Sequence, residues 1–156
     1  MPYTHNVPSA TKLVSAIMYC GFAYYASEIF KPLMPEETVF GVFTWVNVGI
    51  ALLCGWKILG KWTGTGMTDA ISGGLTSTGL LIIWILFVQS LNEMIKLALE
   101  RKSDGLMEAV VGMFAIALEF ASYMLDLEFL AVLVVGSIIM GIIAELVAKK
   151  AMRVTQ

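Results

Sequence analysis

Five apolar stretches, each long enough to cross a bilayer, take up most of the 156 residues, and little polar sequence is left for anything else. A lipid-spanning helix needs roughly 20 mostly apolar residues at about 1.5 Å of rise each. The runs 75–88 and 129–148 approach or reach that length. The expected fold class is therefore all-α: a polytopic transmembrane helix bundle, forming one domain over residues 1–156.

Composition points the same way. A hydrophobic fraction of 58%, a charged fraction of 14% and a mean hydropathy of +0.82 exceed what a soluble domain hides in its core, so membrane lipid is the first partner expected. The formal net charge of -2 and the lack of a basic stripe interleaved with aromatics exclude nucleic acid as a partner. Lys12 precedes an apolar run over 13–30, as in an export signal. The run is long, however, and its small-x-small triplet Gly21-Phe22-Ala23 lies inside it, so we read it as a retained first helix.

The first helix is expected over 11–30, ending at Lys31-Pro32 because proline disfavours helical geometry in the residue before it; Pro35 continues the loop. The second covers 43–59, with Trp45 and Trp56 near its ends, where amphipathic rings prefer the headgroup layer, and Gly60, Gly64 and Gly66 break it. The third runs over 70–100, with Asp69 as its cap. At roughly 45 Å this helix outruns a bilayer, and its far end carries Gln89, Asn92, Glu93, Lys96 and Glu100, with Arg101 following. A polar stem is expected there, with Lys96 and Glu100 paired four residues apart and Asp104-Gly105 turning the chain.

The fourth helix, 106–125, is interrupted by Glu108 and Glu119, and it either crosses or lies at the surface, which would leave four crossings. The fifth, 129–150, follows Asp126-Leu127-Glu128, a connection short enough to impose an antiparallel hairpin, with Asp126 as its cap. The Lys and Arg distribution chooses between the topologies. Five crossings place three cations (Lys12, Lys57, Lys61) on one side and seven on the other (Lys31, Lys96, Arg101, Lys102, Lys149, Lys150, Arg153), whereas four crossings give six against four. The positive-inside rule then favours five, with the amino terminus outside, in a bacterial inner membrane.

Ionisable groups in lipid are the functional candidates, since a mid-bilayer carboxylate costs about 2.5 kcal/mol or more on insertion scales. Glu119 stands between apolar residues 109–118 and 120–125. Glu108 lies eleven positions earlier, about 20° beyond three full turns, so both carboxylates share one face. The functional reading is a proton- or cation-binding carboxylate; the plain one is a Glu hydrogen-bonded to a neighbouring helix through Asn47, Ser72, Thr76 or Gln89. The candidate intramembrane polar site is thus Glu119, Glu108, Asn47 and Glu93. Glu28, Glu93 and Glu145 stand near helix ends, where Glu28 with Lys31 and Glu145 with Lys149 need only local pairing.

Cys20 and Cys54 differ in depth by roughly 6 Å and read as small buried residues. His5 is the only histidine. No metal or haem ligand set is expected and no cofactor is called for. Nucleophile elbows and phosphate loops are missing from the sequence, so an enzyme is not expected and no catalytic residue is named. Small residues recur at helix-packing spacing: Ala51 with Gly55, Gly73 with Ser77, Gly74 with Thr78, Ala117 with Ala121, Ser137 with Gly141. They serve either this chain or a partner.

Taken in order, Ser27-Glu28, Lys31-Pro32-Leu33-Met34-Pro35-Glu36, Phe40-Gly41-Val42-Phe43, Val46-Asn47 and Gly55-Trp56 are followed by Ala70-Ile71-Ser72, Gly74-Leu75-Thr76, Glu93-Met94, Asp104-Gly105, Glu108-Ala109-Val110 and Leu118-Glu119. This pattern resembles the TrgA family of small bacterial inner-membrane proteins. The resemblance covers most of the chain and implies a link to tellurite resistance, a cellular phenotype that carries no catalytic residue with it. Gly73, where the family pattern would read Asn after Ile71-Ser72, departs from it. Two classes of function follow: a transporter-like or membrane-stress protein handling protons or an oxyanion through Glu119, or an accessory subunit of a larger respiratory or photosynthetic membrane complex, alone or as a homo-oligomer.

Overall fold

The computed structural model describes residues 9–36, 40–100 and 105–154, and every regular element among them is helical. His5, Arg101, Lys102 and Asp104 lie outside the described residues. Five helices are long and apolar enough to cross a membrane, as expected: α1 Ser9–Phe30, α2 Phe43–Trp62, α3 Met67–Glu100, α4 Leu106–Met124 and α5 Leu127–Val154.

The helix ends follow local chemistry, with two corrections. Pro32 closes α1 through a 3₁₀ turn, Lys31–Leu33, in which the Met34 N–H donates to the Lys31 carbonyl at 3.2 Å. Asp126 caps α5, its Oδ1 accepting from the Glu128 and Phe129 N–H groups at 3.1 and 3.2 Å. Gly60, expected to break α2, does not. The helix passes through a π turn, Gly55–Leu59, and on to Trp62, and the break comes at Gly64 and Gly66, whose φ of +88° and +149° suit glycine. Gly60 is instead a packing residue: a Cβ there would stand 2.9 Å from Lys12 Cγ. Asp69 does not cap α3 either, because the helix begins at Met67, with the Ala70 N–H donating to Gly66 at 3.0 Å. The carboxylate sits in the first turn, where it complements the helix dipole.

Four helices form an up-and-down bundle in the ring order α1, α2, α3, α5. Each neighbour runs antiparallel: Gly55 meets Ser15 and Ala16, Gly73 meets Trp62, and Gly141 meets Ala70 and Ile71. The small residues at helix-packing spacing are spent inside this bundle. A side chain on Gly74 would run into the Ser137 carbonyl, one on Gly141 into the Ala70 carbonyl, and one on Gly136 into the Phe22 ring. Only Ala117 and Ala121, on α4, remain half-buried.

The short connection before α5 does not produce the expected hairpin between α4 and α5. At 34 residues α3 is about 51 Å long, and α4 and α5 follow one another along its two halves. Gly112 of α4 lies against Met94, and Phe120 shares a small cavity with Gln89 and Glu93. Further on, α5 lies along α3 from Ser137 opposite Gly74 to Gly141 opposite Ala70. The antiparallel hairpin is thus α3 with α4. The physical reason is the turn itself, where Phe129, buried at 3% exposure, joins Phe22, Phe30 and Phe43 in an aromatic cluster that anchors the start of α5 to the bundle.

The ends of α1 and α5 bear on the number of crossings. Lys12 touches the Gly60 position and Met152 the Gly64 position, so the start of α1 and the end of α5 share one end of the bundle. Five crossings would have separated them.

Candidate functional site

The four residues singled out as a polar site fall into two places. Asn47, on α2, is buried at 2% exposure in the bundle. Its Nδ2 donates to Ser27 Oγ at 3.0 Å, and its Oδ1 accepts from Gln89 Nε2 at 2.8 Å. Gln89 Nε2 also donates to the Phe43 carbonyl at 3.2 Å, so α1, α2 and α3 are joined by one chain of hydrogen bonds. These groups edge a cavity of about 50 Å³ whose other walls include Phe22, Phe30, Leu81 and Phe120. Asn47 and Gln89 satisfy each other instead of reaching Glu119. Their work is to fix helix register, because an unpaired amide here costs about 1–3 kcal/mol.

Glu119, Glu108 and Glu93 lie outside the bundle. No residue of α4 is buried, and Glu119 and Glu108 are both exposed on its surface. Glu119 Oε1 accepts from Tyr123 Oη at 3.4 Å, one turn along the same helix. Glu108 stands in the first turn, in favourable dipole position. Glu93 accepts from Lys96 Nζ at 3.2 Å; this pair, three residues apart, replaces the Lys96–Glu100 pair expected. Glu93, Lys96 and Glu100 from α3 and Glu119 and Tyr123 from α4 line one open groove of about 410 Å³, floored by Met34, Leu97, Ile116 and Phe120. The structure therefore brings Glu119 and Glu93 together and leaves Asn47 apart from them.

Two buried polar centres escaped the sequence reading. Tyr19, with no exposed surface, reaches across the bundle diagonal from α1 to α3, donating to the Gly74 carbonyl at 2.9 Å with Thr78 Oγ1 at 3.0 Å. Glu145, 1% exposed, accepts from the Gly64 N–H at 2.6 Å, with Lys149 Nζ 3.6 Å from its other oxygen. The local Lys149 pair was expected; the bond to the α2–α3 connection, 81 residues away in sequence, was not. The expected Glu28–Lys31 ion pair is present at the end of α1, and Thr44 also donates to Glu28 at 3.4 Å. Cys20 and Cys54 are free thiols, and Cys20 Sγ donates to the Val48 carbonyl at 3.6 Å. Among the described residues no three His, Cys, Asp or Glu side chains are placed to hold one metal ion.

Comparison with known proteins finds no matching family model, no curated relative and no solved structure. The assignment of a role rests on geometry and on the sequence pattern alone.

Proposed function

We propose that this chain is a non-enzymatic, multi-pass protein of a bacterial inner membrane that serves as an accessory component of a larger membrane assembly, offering the α3–α4 hairpin to its partner. The observation that supports this reading is the position of the groove. Its three carboxylates and one ammonium stand open beyond the bundle, whereas the polar groups Asn47, Gln89 and Tyr19 are consumed by hydrogen bonds inside it. A surface of that kind recognises by contact and charge.

The transporter-like reading needs Glu119 aimed into an enclosed polar cavity between helices, and Glu119 instead lines a groove open at the surface, outside the bundle. The surplus of carboxylates in the groove also repels an oxyanion. The sequence likeness to the TrgA family joins this proposal as an expected link to tellurite resistance, exerted through the assembly and not through chemistry on the oxyanion.

Affinity extraction of the tagged chain from native membranes in a mild detergent, followed by sizing and mass spectrometry, tests the reading. A co-purifying membrane protein is expected, lost on combined Glu93→Gln and Glu119→Gln substitution. A species of monomer or small homo-oligomer mass overturns it.

A further inference from the structure

The α3–α4 hairpin has a second side, and its chemistry differs from that of the groove. On α3, Leu91, Ile95 and Leu99 recur every four residues and are 41%, 51% and 83% exposed. Glu93 lies two positions from Leu91, about 160° around the helix. On α4, Val110, Phe114 and Leu118 recur at the same spacing and are 48%, 61% and 72% exposed. Glu119 lies nine positions from Val110, about 180° around. The acidic residues of both helices line one groove, so the two apolar stripes both look away from it.

This apolar side is continuous with the flank of the bundle that faces lipid. Ile83, Trp84 and Phe87, all exposed on α3, lead directly into Leu91, Ile95 and Leu99 with no charged residue between them on that stripe. The stripe from Ile83 to Leu99 is about 24 Å long, and nothing along it marks where hydrocarbon would give way to water. Length permits the whole of α3 to remain in the membrane. A rod of about 51 Å tilted by about 30° spans about 44 Å, the thickness of a bilayer with its headgroup layers.

We infer that lipid covers the side of the hairpin formed by Leu91, Ile95, Leu99, Val110, Phe114 and Leu118, so that α4 lies alongside the outer half of α3 at the inclination of the bundle helices and the acidic groove stands at the headgroup boundary. The bundle then crosses four times. On such a hairpin the apolar side chains of α3 and α4 meet acyl chains, while Glu93, Lys96, Glu100 and Glu119 turn to headgroups and water on the other side. The inference does not depend on a protein partner, since it concerns the side opposite the groove.

The experiment uses the full chain with Cys20→Ala and Cys54→Ala, reconstituted in phosphatidylethanolamine and phosphatidylglycerol vesicles, with nitroxide labels at Phe114→Cys, Ile95→Cys and Glu119→Cys. Collision with molecular oxygen, which concentrates in lipid, is compared with collision with a water-soluble nickel chelate. Labels at Phe114 and Ile95 are expected to favour oxygen several-fold more than the label at Glu119. Preference for the nickel reagent at Phe114 overturns the inference, and so does shielding from both reagents, which means that protein covers this side. Should Phe114→Cys fail to fold by circular dichroism, Leu118→Cys reports on the same stripe. These readouts are independent of co-purification, so each proposal can fail alone.

Discussion

Asn47 and Gln89 face each other across the α2–α3 interface and share a hydrogen bond of 2.8 Å where α3 leaves the bundle. Each also holds a second partner, Ser27 for Asn47 and the Phe43 carbonyl for Gln89. Replacing one amide strands the other in an apolar wall, which costs more than the bond itself is worth.

Gln89→Leu and Asn47→Leu are each expected to destabilise the detergent-solubilised protein by about 1–3 kcal/mol. The double variant, with nothing left unpaired between the two positions, should lose less than the sum. A double-mutant cycle on unfolding free energies checks this, and additivity within error would show that the bond carries no coupling.

Close helix contacts give a second test. Alanine at Gly74 or Gly141 places a methyl group against backbone carbonyls of Ser137 or Ala70, which move only with their helices. A loss of about 1–3 kcal/mol is expected for each. Gly49 and Gly79 have open space around them; alanine there is expected to be neutral or to stabilise by up to about 1 kcal/mol through helix propensity. Thermal unfolding of the four variants in one detergent separates the two classes.

These contacts mark where sequence reading stops. Five apolar stretches announce five helices because bilayer thickness fixes how long each must be, and Asp126 is recognisable as a cap because capping acts over two or three residues. The bond from Tyr19 to Gly74 spans 55 positions and that from Glu145 to Gly64 spans 81. Neither leaves a periodic trace. The exposure of Glu119 depends on which helix lies beside α4, and the short link to α5 pointed to the wrong neighbour. Glu108 and Glu119 sharing a face was legible; whether that face met protein or water was not.

Glu145 ties α5 to the loop between α2 and α3, so its loss should loosen that loop more than the bundle. Glu145→Ala leaves the Gly64 N–H without its acceptor, at an expected cost of about 2 kcal/mol. Glu145→Gln keeps an acceptor oxygen and should lose less. Limited proteolysis or hydrogen exchange over residues 63–66 reads the difference, and equal protection in both variants would show the bond to be dispensable.

Orientation follows from placing both helix termini at one end of the bundle. That end carries Lys12, Lys57, Lys61, Lys149, Lys150 and Arg153, while Lys31 and Lys96 lie at the other among the described residues and Arg101 and Lys102 follow α3 in sequence, so the bias is six against four. Short segments rich in Lys and Arg stay in the cytoplasm, so the carboxyl terminus is expected inside, and the groove of Glu93 and Glu119 on the opposite side. A green fluorescent protein fused after Gln156 should fluoresce, and alkaline phosphatase at the same point should be inactive. Because the cations are shared between α1, α2 and α5, replacing Lys149, Lys150 and Arg153 with Gln leaves three against four and should give a mixed population, whereas removal of all six should invert the chain. An active phosphatase fusion on the unaltered chain would reverse the orientation and put the acidic groove in the cytoplasm.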